Sequence, residues 1–232
     1  MEEEIIRDID VQSVMTRSSL PVGGYSVNPY EEHFQCTRRL LEQLRGTTAE
    51  IMICTKSDLV LRDLDLLREF PRMTVSWSVN TLDEAFRADM DRAVSIERRL
   101  EAMRQVYEAG IRTVCFVSPI FPGITDAEAI IDRVRDICDL VWLVNLNLRG
   151  QFKPTIMDYV REKHPELMPL YEAIYKRKDM SYWQALEARI ASYAAANGLP
   201  YRVNDLPYGR SAKGHPVVVN FFYHEKIRLS NR

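Results

Sequence analysis

The chain has 232 residues, 46% of them hydrophobic and 28% charged, with 31 Lys plus Arg against 33 Asp plus Glu. That composition is globular rather than disordered, and such a length buries roughly 70–75% of the unfolded surface without needing a disulfide or metal staple. A formal net charge of −2 gives no overall steering toward nucleic acid or anionic membrane.

The acidic start, Met1-Glu2-Glu3-Glu4, leads no apolar stretch and reads as neither signal nor transit peptide. No apolar run approaches the ~18 residues of a membrane span. From residue 31 strands and helices alternate. A helix is predicted over residues 31–45, with Phe34, Leu40, Leu41 and Leu44 on one face. A short apolar strand follows at 50–55, a helix at 61–70 and a strand at 74–80. Ser95 caps a helix over 96–109 that stops at Gly110, the place of a left-handed C-cap. A strand at 113–118 ends at Pro119, Pro122 and Gly123. Thr125 or Asp126 then caps a helix to Cys138, and 140–148 forms a fourth strand. Beyond Gly150 helices are expected at 153–163, 165–176 and 181–197, a loop at 206–216, and a last strand at 217–223. Such alternation implies a parallel sheet with right-handed crossovers. No repeat or domain boundary interrupts it.

Two strands break the apolar pattern of a doubly buried parallel strand. Ser76, Ser78 and Asn80 share one face, and so do Asn145, Asn147 and Arg149, because side chains alternate with period two. Such groups sit at the carboxyl ends of parallel strands, where ligands bind; the alternative is that they satisfy backbone groups there. Lys56 directly follows a strand and could hold a carboxylate or phosphate, or be a surface lysine. The Pro119-to-Gly123 turn could rim a flat ligand or simply be a rigid turn. Tyr208, His215 and His224 are acid/base candidates without a partner at a diagnostic spacing. The runs Arg38-Arg39 and Glu97-Arg98-Arg99 read as solvated charge stripes. The four cysteines, Cys36, Cys54, Cys115 and Cys138, form neither C-x-x-C pairs nor a disulfide framework. Cys54 and Cys115 lie in apolar runs and read as small buried thiols. Reduced thiols and no export signal point to the cytoplasm.

Four segments carry a resemblance. Thr55-Lys56-Ser57-Asp58-Leu59 continuing through Arg62-Asp63-Leu64-Asp65-Leu66-Leu67 matches T-K-S-x-L-x-x-R-D-x-D-L-L. Val75-Ser76-Trp77-Ser78-Val79-Asn80 is similar to the next strand of the same group. Arg99-Leu100-Glu101-Ala102 with Ala109-Gly110-Ile111 matches R-L-x-A…A-G-I, and Pro119-Ile120-Phe121-Pro122-Gly123 with Asp126 matches P-I-x-P-G-x-x-D. Together they resemble the spore photoproduct lyase-like group of radical S-adenosylmethionine proteins. That resemblance implies a partial (β/α)6 barrel of the TIM type, here a single domain over residues 1–232. Its expected parts are a lead-in at 1–30, a β/α core at 31–150, and a helical extension with a terminal strand at 151–232. It implies S-adenosylmethionine bound to a 4Fe–4S cluster and cleaved reductively to a 5′-deoxyadenosyl radical. Lys56 and Ser78 match positions that contact the methionine end of the cofactor, while Asn80 and Asn147 are added from strand-face geometry alone. Relatives include DNA photoproduct repair enzymes, but no basic stripe with interleaved aromatics marks this chain as a DNA reader.

The cluster motif of the group, C-x3-C-x2-C after N-P-Y-x-G-C, does not follow Asn28-Pro29-Tyr30. Instead Pro29 to Glu42 resembles a later segment, P-x-E-x5-T-R-x-x-L-E, as if an in-frame deletion had joined two N-P-x stretches and shortened the barrel near its N-terminus. An exposed sheet edge, weak stability and self-association are the physical expectations. Two other readings stay open: a non-catalytic binding protein or gene remnant, and a metal-free βα-barrel enzyme using Lys56 with an Asp or His.

Overall fold

The structure, a computed structural model, describes residues 19–22, 29–148, 152–204 and 215–223. Arg149, Tyr208, His224 and most of the predicted 206–216 loop lie outside them, as does Asn28. Seven strands form one sheet: β1 (Ser19–Val22), β2 (Glu50–Thr55), β3 (Met73–Ser78), β4 (Arg112–Ile120), β5 (Leu140–Asn145), β6 (Tyr201–Val203) and β7 (Val218–Phe222). Their order is β1-β2-β3-β4-β5-β7-β6, and every pairing is parallel. The expected alternation therefore holds. Two strands add to it: β1 within the lead-in, and β6, which takes an edge beyond β7. The region after residue 151 thus supplies sheet as well as helices.

Helices α1 (Pro29–Phe34), α2 (Cys36–Gln43), α3 (Leu64–Leu67), α4 (Glu84–Met90), α5 (Ile96–Glu108) and α6 (Ala127–Val134) connect the first strands. Helices α7 (Phe152–Lys163), α8 (Met168–Tyr175) and α9 (Ser181–Ala196) follow. Capping chemistry sets several boundaries. The Ser95 hydroxyl accepts from the Arg98 amide to start α5, and Gly110 at φ +82° ends it. Asp126 accepts from the Ala129 amide and starts α6, which settles the choice between Thr125 and Asp126. Asp83 accepts from the Ala85 and Phe86 amides and begins α4, a helix the sequence pattern did not announce.

The helix predicted over 31–45 is two helices. Gln35 adopts a left-handed conformation at φ 51° and breaks it, while the Glu31 carboxylate accepts the Thr37 amide at 3.1 Å and caps α2. Glu31 also takes Arg62 at 3.0 Å, and Arg62 and Arg38 meet at Asp63 at 2.7 and 3.0 Å. Arg38 reaches Asp65 as well. Arg38 is therefore not part of a solvated stripe, although Arg39 is exposed. The network fastens α1 and α2 to the turn Leu59–Asp63, so the R-D-x-D and E-x5-T-R signatures are two halves of one contact.

Alternation along each strand divides the sheet into two faces. Ile51 and Ile53, Val75 and Trp77, Cys115 and Val117, Val141 and Leu143, and Val219 and Phe221 join one core. Leu100, Met103 and Val106 of α5, Ile130 and Ile131 of α6, and Trp183 and Leu186 of α9 complete it. The opposite face carries Met52, Cys54, Thr74, Ser76, Ser78, Phe116, Trp142 and Phe222 and is more open. Phe116 and Trp142 are paired across β4 and β5 with ring centroids 5.4 Å apart, and Trp142 meets Phe222 at 6.1 Å.

Removing the Asp63 carboxylate, whose side chain is 0% exposed, takes the shared acceptor from two guanidiniums and leaves Arg62 with Glu31 and Arg38 with Asp65. Asp63→Ala should lower unfolding free energy by about 2–3 kcal/mol, below a fully buried pair because both arginines reach solvent. Urea unfolding with an unchanged m-value checks this. At Gly123, φ is +74° and an added Cβ would stand 2.7 Å from Leu167 Cδ2. Gly123→Ala should cost about 1–2 kcal/mol by the same measurement.

Candidate functional site

The segment Thr55-Lys56-Ser57 leaves β2 in a fixed shape. Thr55 Oγ1 accepts the Ser57 amide at 2.9 Å, Ser57 Oγ accepts the Leu59 amide at 3.1 Å, and the Trp77 indole donates to the Ser57 carbonyl at 3.1 Å. Both hydroxyl residues are buried and spent on backbone. Lys56 is left to project, its side chain 40% exposed, with Nζ 3.0 Å from Asp91 Oδ2.

Thr55 pairs with Trp77, so Ser78, the last residue of β3, lies beside Lys56 at the carboxyl ends of adjacent strands. Arg99 joins them. Its guanidinium, 1% exposed, gives NH2 to Asp91 Oδ1 at 2.7 Å, NH1 to the Ser78 carbonyl at 3.1 Å and Nε to the Val94 carbonyl at 3.0 Å. Asp91 is braced by its own Ala93 amide at 3.0 Å and by Arg87 at 3.8 Å. Burial pushes the Asp91 carboxyl up, but the hydrogen bonds from Arg99 and Lys56 outweigh it, and the net shift is downward.

The Glu97-Arg98-Arg99 run is thus corrected. Arg98 is exposed and pairs with Asp58, but Arg99 lies inside. The signal was in α5 itself: Arg99 stands three residues after Ile96 and four before Met103, both buried, and so falls on the apolar stripe. Asp91 lies in a connector with no motif, and only contact reveals it.

Asn80 follows β3, half-buried, and its carbonyl accepts Thr125 Oγ1 at 2.8 Å, while Thr125 also accepts the Phe121 amide at 2.9 Å. The Pro-Gly turn after β4 is therefore tied to the end of β3, and Gly123 donates to the Tyr182 hydroxyl at 3.0 Å. Asn147 is half-buried beyond β5, which ends at Asn145, so strand alternation does not reach it. Asn145 is buried and shares the parity of Val141 and Leu143, the helix-covered face, not the parity of Ser76 and Ser78. Lys56 and Ser78 are brought together by Arg99 and Asp91; Asn80 stands nearby in sequence, and Asn147 two strands away. His215 is exposed.

All four cysteines are described. Cys36 is on α2 and Cys54 on β2; Cys115 of β4 and Cys138 before β5 are buried. Burial pushes the Cys115 thiol up to about 12 and Cys138 well above its ordinary value. Cys54 is exposed rather than buried, against the apolar-run reading. Its thiol is nonetheless raised, by desolvation from the protein atoms around it. Among the described residues no three His, Cys, Asp or Glu side chains could hold a metal ion. These thiols do not fit a cluster that needs three converging thiolates. Also among the described residues, no helix is long and apolar enough to cross a membrane.

Since the folded Asp91 carboxyl titrates below its ordinary value of 3.8, its contribution to stability is complete above that value and is lost as pH falls through the folded one. Asp91→Asn should flatten that acid limb in unfolding curves measured against pH. With a thiol reagent at neutral pH, Cys54 should react slowly in the native protein, and Cys115 and Cys138 only on unfolding, as read by peptide mass mapping.

Residues 3–134, more than half of the chain, match the family model of the Radical SAM superfamily. An uncharacterized protein of Methanocaldococcus jannaschii is 35% identical over 141 residues, covering 60% of this chain and 52% of that protein. An uncharacterized Mycobacterium bovis protein is 25% identical over 214 residues, covering 86% of this chain and 63% of that one. The chain spans about half the length of the first relative and under two thirds of the second. The crystal structure of Streptococcus suis SuiB bound to precursor peptide SuiA superposes with a TM-score of 0.51 at 12% identity, over 89% of this chain and 37% of that one. Family match and parallel α/β architecture agree: this chain belongs to the radical SAM superfamily.

Proposed function

We propose that this chain is a spore photoproduct lyase-like member of the superfamily that binds S-adenosylmethionine at the carboxyl ends of β2 and β3. The observation that carries this reading is Lys56, set beside Ser78 at adjacent strand ends and held by Asp91. The Lys56 ammonium has three donors, so one can stay with Asp91 while others meet a ligand carboxylate. The Ser78 hydroxyl is a partner for the ligand ammonium, and Asn80 and Asn147 would border the same end of a barrel-like sheet. When bound with its cluster in family members, S-adenosylmethionine supplies the 5′-deoxyadenosyl radical.

The thiols of this chain favour the non-catalytic reading of its own activity, since they do not converge. The direct pairing of β1 with β2 supports a barrel shortened at Asn28-Pro29-Tyr30. Among the described residues it also puts β1 at an edge, where pairing with a second copy would occur. A photoproduct or other nucleic-acid substrate belongs to the family resemblance alone.

S-adenosylmethionine should raise the melting temperature in a concentration-dependent way, Lys56→Ala should abolish the shift, and Ser78→Ala should reduce it. Absence of a shift in the wild-type protein would count against a retained cofactor site. Anaerobic iron and sulfide reconstitution should leave no reducible cluster by electron paramagnetic resonance and no 5′-deoxyadenosine.

A further inference from the structure

The Lys56–Ser78 site has one feature beyond its ligand-facing groups: both are tied to a single buried cation. Arg99 spends NH2 on Asp91, the partner of Lys56, and NH1 on the carbonyl of Ser78. Its third donor, Nε, goes to the Val94 carbonyl and so fixes the guanidinium to the connector before α5. Three acceptors, two on the connector before α5 and one at the end of β3, are met by one planar fork, which a lysine ammonium on a flexible stem does not reproduce. We infer that Arg99 is a positioning residue that holds Lys56, through Asp91, and the end of β3, through the Ser78 carbonyl, in one frame for an amino-acid headgroup. The inference rests on the cofactor-site reading above.

Charge and geometry act in the same direction. Lys56, Asp91 and Arg99 together carry one net positive charge, which suits a carboxylate. Losing Arg99 would leave Asp91 with Lys56 and the more distant Arg87 as its cations, and the Lys56 and Asp91 charges would then cancel in front of the ligand. Keeping the charge while losing the fork, as in Arg99→Lys, isolates the positioning role. Freedom returned to Lys56 must then be lost again on binding.

The test uses two probes in titration calorimetry: S-adenosylhomocysteine, which carries the amino-acid end, and 5′-methylthioadenosine, which lacks it. The wild-type protein should bind the first more tightly. Arg99→Lys should weaken S-adenosylhomocysteine about tenfold and leave 5′-methylthioadenosine unchanged. Asp91→Glu keeps the charge but displaces the tie to Lys56, and should show the same selective loss in smaller measure. That variant carries the test if Arg99→Lys does not fold. Equal weakening of both probes would mean general disturbance of the fold and would overturn the positioning role, as would unchanged binding of S-adenosylhomocysteine in the folded variants. If the wild-type protein binds neither probe, the cofactor-site reading fails and takes this inference with it; wild-type binding with unaffected variants sinks the inference alone.

Discussion

A parallel sheet can join its strands only through crossovers, and right-handed crossovers between sequential neighbours carry their helices to one side. In this chain β1 to β5 follow one another in space as in sequence, so one face is packed under helices. The other face is free to be polar and irregular. Ser76 and Ser78 occur there without penalty to the main core, because their neighbours Val75 and Trp77 point the opposite way into it. The carboxyl ends of β2 and β3 are where that second face meets solvent, and there the backbone must leave the sheet in a controlled shape.

Control comes from two sets of charges near the ends of these strands. Glu31, Arg38, Arg62, Asp63 and Asp65 fasten α1 and α2 to the turn after β2. Asp91 and Arg99 fasten Lys56 and the end of β3. In each set arginine is the buried or half-buried cation, which suits its several fixed donors. A buried ion network adds little net stability over an apolar equivalent, but it is costly to break, and it fixes one arrangement of the segments it joins. That is what a binding site at strand ends requires. The hydroxyls of Thr55 and Ser57 serve the same end by bonding to backbone, leaving Lys56 as the one side chain of the trio turned to other work.

Much of this was legible in the sequence where a rule is local. Ser95, Gly110 and Asp126 delimit their helices through hydrogen bonds and dihedral angles a few residues long. The period-two reading of β3 holds for Ser76 and Ser78, while Asn80 lies past the strand. On β5 Asn145 carries the parity of the covered core and Asn147 lies past the strand, so period two does not set where Asn147 stands. The break at Gln35 was hidden because its cause, the Glu31 carboxylate on the Thr37 amide, lies across the break from α2. Arg99 was misread because residue type outweighed position on α5.

Sequence by itself determined the alternation, the helix caps, the family motifs and the candidates Lys56 and Ser78, since these depend on neighbours along the chain. Only the tertiary structure decided that Lys56 has Asp91 as its partner, that Arg99 is interior, that Cys54 is accessible and that β6, among the described residues, lies outside β7. Those outcomes depend on which distant segments meet: the cost of burying a charge depends on the carboxylate beside it, and the exposure of a thiol on whether another segment covers its face of the sheet.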